Sequence, residues 1–211
     1  MDEGLALDEV EVFFDGAPLF RLDARIPPGT VLTVMGPSGV GKSTLLSAIL
    51  GDLPTGFSMT GQIALGGRDL RGLRPEARRI GLLYQDPLLF PHLDVAGNLA
   101  FGLPRGGGRS ARRAIVAAAL ARVGLAGCEG RDPATLSGGQ AARVALARTL
   151  LAEPRALLLD EPFGKLDATL RGEIRALVFA EVRSRAIPAI LVTHDRTDAE
   201  AAGGPVHALG A

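Results

Sequence analysis

The sequence predicts an α/β fold with a mostly parallel core sheet, an antiparallel β part at its N-terminus and an inserted helical part. Three observations carry that prediction. The apolar run Val31–Met35 passes through a glycine loop, residues 36–44, directly into the helical pattern of residues 45–50, which is the strand, loop and helix order of an α/β unit. Two further apolar runs, at 156–159 and 188–193, end in ionisable residues, as strands of an open α/β sheet do where ligands bind. Between about 87 and 133 the pattern becomes irregular and then helical, which marks the insertion.

Taken in order, Leu5, Leu7, Val10, Val12 and Phe14 alternate loosely, and residues 19–26 do likewise. Asp15, Gly16, Ala17 and Pro18 make the turn between them, so the chain opens as a β-hairpin. Phe14, or its neighbour Phe13, stands at a strand end, either as a platform for a purine ring or as an ordinary core or edge aromatic. In the glycine loop, Gly36, Gly39 and Gly41 let the backbone curl so that N–H groups face an anion. The following helix adds the positive end of its dipole, about half a charge. Gly36, Pro37, Ser38, Gly39, Val40, Gly41, Lys42, Ser43 and Thr44 therefore read as a phosphate-binding P-loop. Lys42 and Lys165 are the two lysines among 23 basic residues. Arginine is the default cation, and the exception in this loop fits a slim ammonium beside the β- and γ-phosphates. Ser43 would offer its hydroxyl to Mg²⁺.

The helix is expected to end near Gly51, with a strand from Met59 to Leu65 after the turn at Pro54, Thr55 and Gly56. Arg68, Arg71, Arg74, Arg78 and Arg79 read as a solvated face, because no aromatics are interleaved for base stacking. Ile80 to Tyr84 is a short strand ending in Gln85, placed to reach the metal or its water. The segment from Asp86 to Leu93 holds two prolines and four large apolar residues without a period, so it is either folded under the core or an apolar docking surface. Residues 104–113, rich in Gly and Arg, read as mobile, and 114–123 as a helix.

Leu136, Ser137, Gly138, Gly139 and Gln140 open a long helix over 141–151, with Ser137 as its N-cap. Two glycines weaken a first turn, and their use would be close approach of backbone to a second anion. The strand at 156–159 runs into Asp160 and Glu161, adjacent carboxylates that need cations at the end of an apolar strand. Asp160 fits a Mg²⁺ partner held through water, and Glu161 a base for attacking water. A turn at 163–167 leads to a helix at about 169–185. The last apolar strand brings His194, one of three histidines, to its C-terminal edge as a sensor of the γ-phosphate.

A length of 211 residues suits one large domain with a proper core. Zero formal charge points to no nucleic acid or acidic membrane surface. Cys128 stands alone, which fits a reducing compartment. The acidic start leads into no secretory leader, and no run is long enough to span a membrane, so a cytosolic chain is expected. A mean hydropathy of +0.24 is high for a lone soluble domain and points to contacts buried against a partner.

Carried together, these residues resemble the ATP-binding subunit of an ABC transporter over essentially the whole chain. Residues 36–44 are similar to Walker A, Gln85 to the Q-loop glutamine, residues 136–140 to the LSGGQ signature, 157–161 to Walker B, Leu166 and Asp167 to the D-loop and His194 to the switch histidine. The stretch 84–93 resembles importer ATPases of the iron, spermidine and thiamine type, and residues 132–136, 179–183 and the short tail resemble a YnjD-like subgroup. The resemblance implies a single P-loop ATPase domain over 1–211 with a helical subdomain at about 87–133. It implies ATP bound by Phe14, Gly36, Ser38, Gly39, Gly41, Lys42, Ser43, Thr44, Gln85, Ser137, Gly138, Gly139 and Gln140, and Mg²⁺ held by Ser43, Gln85 and Asp160. Glu161, His194 and Lys42 would be catalytic. The implied assembly is a head-to-tail homodimer on the cytoplasmic face of a membrane. Transmembrane permease subunits would dock from Pro87 to Asn98, a separate solute-binding protein would complete the complex, and no nucleic acid is involved.

The sequence departs from the family pattern in places. Phe replaces the usual Tyr near position 14, Gly164 and Lys165 replace a small polar pair in the D-loop, and Ala141 and Ala142 follow the signature where polar residues are common. The short tail implies that no C-terminal regulatory domain is present. Two rival functions use the same motifs. A soluble ABC ATPase of repair or translation would carry a very long insertion or two cassettes, and neither is seen; a non-hydrolysing nucleotide-binding module would release no phosphate.

Overall fold

The computed structural model describes residues 4–37 and 39–209. In chain order the elements are β1 (Leu5–Phe14), β2 (Ala17–Ile26), β3 (Val31–Met35), α1 (Lys42–Leu50), β4 (Phe57–Leu65), β5 (Arg68–Asp69), α2 (Pro75–Arg78) and β6 (Ile80–Leu83). Then follow α3 (Val95–Gly102), α4 (Arg109–Arg122), α5 (Gly138–Leu151), β7 (Ala156–Asp160), α6 (Ala168–Ser184), β8 (Ala189–Thr193), α7 (Arg196–Ala202) and β9 (Val206–Ala208). The described chain forms two compact units. One takes the chain up to Leu82, Arg155–Glu161 and everything from Phe179 onward; the other takes Leu83–Pro154 and Pro162–Val178.

The first unit holds two sheets. An antiparallel sheet has the order β2-β1-β4-β5, and the other has the order β6-β7-β8-β3-β9, with parallel pairing at β7–β8, β8–β3 and β3–β9. The alternation read in β1 places Leu5, Leu7, Val10 and Val12 in the core, and a register shift at Glu9 keeps Val10 and Val12 on that face. Residues of β3, β7 and β8 are apolar without alternation, as strands covered on both faces must be. Leu45, Leu46, Ala48 and Ile49 of α1 pack in one cluster with Leu7 and Ile63 of the antiparallel sheet and Leu158 and Ile190 of the parallel one. The phosphate-loop helix is thus gripped by two sheets, each buried leucine contributing roughly 2 kcal/mol.

The basic face expected over residues 68–79 is corrected at Arg78. That residue is buried, donating from Nη1 to the carbonyls of Ala48 at 3.2 Å and Ile49 at 2.7 Å and from Nε to Leu73 O at 3.1 Å. A guanidinium here meets the last carbonyls of α1, sharing Ala48 O with the Gly51 amide, and the negative end of the helix dipole. Burial lowers its pKa, Asp69 opposing.

The second unit has its own core, in which Val95 and Leu99 of α3, Val116 and Leu120 of α4 and Val144 and Ala147 of α5 meet. Asp94 caps α3 by accepting from Gly97 N at 2.6 Å. Two expectations change here. Helix α4 starts at Arg109 rather than 114, and the glycine-rich run before it is tied down: Arg112 donates to the carbonyls of Pro104, Gly106 and Ala100. Helix α5 starts at Gly138, three residues early, because its cap is complete without the alanines.

Candidate active site

Every strand that ends at the site in the first unit runs the same way, so the residues just beyond β3, β7 and β8 share one edge. Register fixes the level: Asp160 lies opposite Val192, and Met35 opposite Thr193. Glu161, immediately after β7, is bound to Val192 by its own amide at 3.0 Å and sits at a φ of 44°, a conformation that costs a side-chain-bearing residue about 1–2 kcal/mol.

The glycine loop is shaped by contact as much as by flexibility. A Cβ on Gly41 would lie 2.8 Å from the Phe20 ring, at a φ of 102°; one on Gly36 would lie 2.8 Å from Leu209 O. Gly41 is also the N-cap of α1 and contributes no side-chain bond, so no capping side chain occupies the first-turn N–H groups. Lys42 is 6 % exposed, and its Nζ donates to Gly36 O at 2.8 Å and Pro37 O at 2.9 Å and lies 3.9 Å from Glu161 Oε1. Ser38, expected among the ATP ligands, lies outside the described residues.

Ser43 and Asp160 meet, the hydroxyl oxygen 3.3 and 3.5 Å from the two carboxylate oxygens. Burial, the largest cause, together with the Glu161 charge, holds the Asp160 carboxyl above its ordinary value; the Ser43 hydrogen bond and Lys42 pull it back. A desolvated carboxylate beside an exposed hydroxyl is a hard-oxygen donor pair suited to Mg²⁺. Among the described residues no cluster of three or more His, Cys, Asp or Glu could form an all-protein cage. That donor set fits Mg²⁺, which usually takes few protein ligands and completes its shell with phosphate and water. His194 Nδ1 is 3.2 Å from Glu161 Oε2, so Glu161 lies between the ammonium and the imidazole. Behind the histidine, Asp195 N donates to Thr193 Oγ1 at 3.0 Å, and that hydroxyl to buried Asp198 at 3.3 Å.

Thus Lys42, Ser43, Asp160, Glu161 and His194 come together. Thr44 is half-buried in the first turn of α1. Phe14 is exposed and pairs with Phe57, ring centroids 4.8 Å apart. Gln85 and residues 137–140 belong to the second unit, where Gln85 is exposed. There Ser137 and Gln140 form a reciprocal cap: Gln140 N donates to Ser137 Oγ at 3.3 Å, and Ser137 N to Gln140 Oε1 at 3.1 Å. Gly139 is buried, and a Cβ would fall 2.4 Å from Leu170, so side-chain packing accounts for that glycine; Gly138 has only Leu166, at 4.0 Å. Sequence reading missed Arg131, which braces this cap through Gln140 Oε1 at 3.2 Å and Thr135 O at 2.6 Å. Its partner Gln140 lies in the signature motif, but no motif marks position 131 itself.

A glycine loop leading from a parallel strand into a helix, with a hydroxyl, paired carboxylates and a histidine on the same sheet edge, defines a P-loop nucleotide-hydrolysing domain. Comparison narrows the class. Residues 19–164 match the ABC transporter family. The uncharacterized ABC transporter ATP-binding protein YnjD of Escherichia coli is 50% identical over 183 residues, covering 87% of this chain and 84% of that protein. The spermidine/putrescine import ATP-binding protein PotA of Frankia alni is 48% identical over 85% of this chain, which spans 38% of it. For the Fe(3+) ions import ATP-binding protein FbpC of Streptomyces coelicolor the figures are 44%, 92% and 56%. The solved structure of cbiO1 from Clostridium perfringens, part of the ABC transporter complex cbiONQ, superimposes with a TM-score of 0.81 at 31% identity, covering 92% of this chain and 80% of that one. The chain belongs to the ABC transporter family, as an ATP-binding, ATP-hydrolysing subunit.

Proposed function

We propose that this chain powers a small-solute importer, hydrolysing Mg-ATP in a head-to-tail homodimer whose closure drives transport. The gathering of Lys42, Ser43, Asp160, Glu161 and His194 on one sheet edge carries the reading. Relatives named as import ATP-binding proteins give its direction. Lys42 would neutralise the β- and γ-phosphates, and Glu161 would position and deprotonate the attacking water. His194 would bind the γ-phosphate, on backbone that Thr193 and Asp198 fix at Asp195 just behind it. Mg²⁺ on Ser43 and Asp160, with Gln85 reaching its water, would supply charge stabilisation of the transferred phosphoryl group. Phe14 would stack on the adenine.

Ser137, Gly138, Gly139 and Gln140 of one copy would face the P-loop nucleotide of the other, the loop's Ser38 included. The two units are read as one ATPase domain over residues 1–211. Among the described residues no helix is long and apolar enough to cross a membrane, which suits a subunit bound peripherally to the cytoplasmic face through permease partners, with a solute-binding protein in the complex. The permease would dock at residues 87–98. Within that segment Leu88 is exposed while Leu89 packs against the helical core, and just beyond it exposed Phe101 packs tilted against Phe90, ring centroids 4.6 Å apart, extending the apolar surface.

Scattering of Glu161→Gln protein with Mg-ATP tests the dimer: a doubling of mass is expected, and a monomer at high concentration would count against it. Leu88→Glu with Phe101→Glu tests the docking surface; transport should be lost while the isolated chain still hydrolyses ATP.

A further inference from the structure

Helix α5 carries Ser137 at its start and Arg148 in its last turn, about 16 Å away at 1.5 Å per residue. Arg148 turns back onto the loop that follows Gln85. Its Nη1 donates to Leu88 O at 2.9 Å, its Nη2 to Pro87 O at 3.1 Å, and its Cζ lies 5.2 Å from the centre of the Phe90 ring. Burial lowers its pKa. Among the described residues its guanidinium meets carbonyls and a ring but no carboxylate. A half-buried charge held this way is unfavourable compared with an apolar side chain of the same volume, so packing alone does not require it.

The geometry requires it instead. Leu88 sits at a φ of 44°, left-handed backbone that a leucine rarely adopts, and the two carbonyls flanking that kink are the ones the guanidinium fork grips. The rest of the loop is held by Asn98, which accepts from Phe90 N at 2.8 Å and donates to the carbonyls of Phe90 and Leu93. Its start is held at Asp86 by Lys165, 2.5 Å away. Helices α5 and α3 approach closely at the same point, for a Cβ on Gly102 would fall 2.2 Å from the carbonyl oxygen of Arg148.

We propose that Arg148 is a positioning residue: through the Pro87 and Leu88 carbonyls it makes the loop after Gln85 move with the signature helix, so that closure on ATP is delivered to the permease. The inference rests on the reading of residues 87–98 as the docking segment. A lysine at 148 would keep the stem and the charge but lose the fork, and a methionine would lose both. Glycine at 88 accepts a positive φ without the clamp's help.

The test uses the assembled transporter, with solute transported per ATP hydrolysed as the readout, beside amide exchange of residues 86–93 in the same complex. Arg148→Lys should lower the ratio about tenfold and speed exchange at 86–90, with the KM for ATP moving less than twofold. Adding Leu88→Gly should bring exchange at 89–90 back toward the unsubstituted chain, which a merely structural role would not do. Arg148→Met should lower the ratio further; if that variant does not fold, the lysine variant decides alone. Unchanged exchange in Arg148→Lys would overturn the clamp, and faster exchange with an intact ratio would overturn its coupling role. Leu88→Glu with Phe101→Glu runs as the control: if transport survives it, the docking reading itself has failed and takes this inference with it.

Discussion

The starts of α1 and α5 look alike as sequence, each a glycine-rich turn opening a helix, yet they are built in opposite ways. At α1 the cap is a glycine with no side chain to offer, and the first-turn donors meet no capping group. At α5 the serine and glutamine satisfy each other's backbone reciprocally, and Arg131 braces the pair. One end leaves its first-turn donors without a capping side chain, while the other satisfies its own. This difference suits a half-site on each of two copies, in which one end surrounds the phosphates and the other closes over them.

The comparison can be broken at four points. The largest effect is expected from Glu161→Gln, since hydrolysis should remain only where the base is kept: phosphate release should fall roughly 10²- to 10⁴-fold, with ATP binding retained in equilibrium titration. Gly41→Ala adds a strained φ and a clash with Phe20, and should lower folding stability by about 3 kcal/mol in denaturant titrations and abolish nucleotide binding. Gly139→Ala meets the Leu170 side chain, which can yield, so about 1–3 kcal/mol is expected, with Leu170→Ala in the same chain relieving the clash; no relief would mean the glycine serves something other than packing. The smallest pair is the most discriminating. Ser137→Ala should cost about 1 kcal/mol as a lost cap, whereas Gly138→Ala, with room for a methyl group, should raise stability by up to about 1 kcal/mol while depressing turnover of the dimer. If Gly138→Ala left turnover intact, the self-capped end would not be meeting ATP.

Where chemistry is local in sequence, it was readable from the sequence. Lys42 and Ser43 follow the glycines that shape their loop, and Asp160 and Glu161 end an apolar strand, so spacing alone announced them. The sheet edge followed from those strand ends. The arginines could not be sorted this way. Arg78, Arg131 and Arg148 bind backbone carbonyls 4 to 61 residues away, and a carbonyl looks the same at every position. Arg78 was therefore read with its exposed neighbours although it is buried. Gly139 has a packing reason that spacing does not announce: its neighbour Leu170 lies 31 residues on and has no motif of its own.

Gly51 and Arg78 set a rule for how this sequence can drift. Gly51 closes α1 at a φ of 79°, and any Cβ there would stand 2.4 Å from the Arg78 guanidinium that holds the helix's last carbonyls. A side chain at 51 would expel the arginine, and a shorter residue at 78 would take the guanidinium donor from Ile49 O and leave Ala48 O to the Gly51 amide alone. Neither position can change alone without loosening the far end of the helix whose near end carries Lys42 and Ser43. A successful exchange would have to arrive as a pair, bringing a different way to finish the helix.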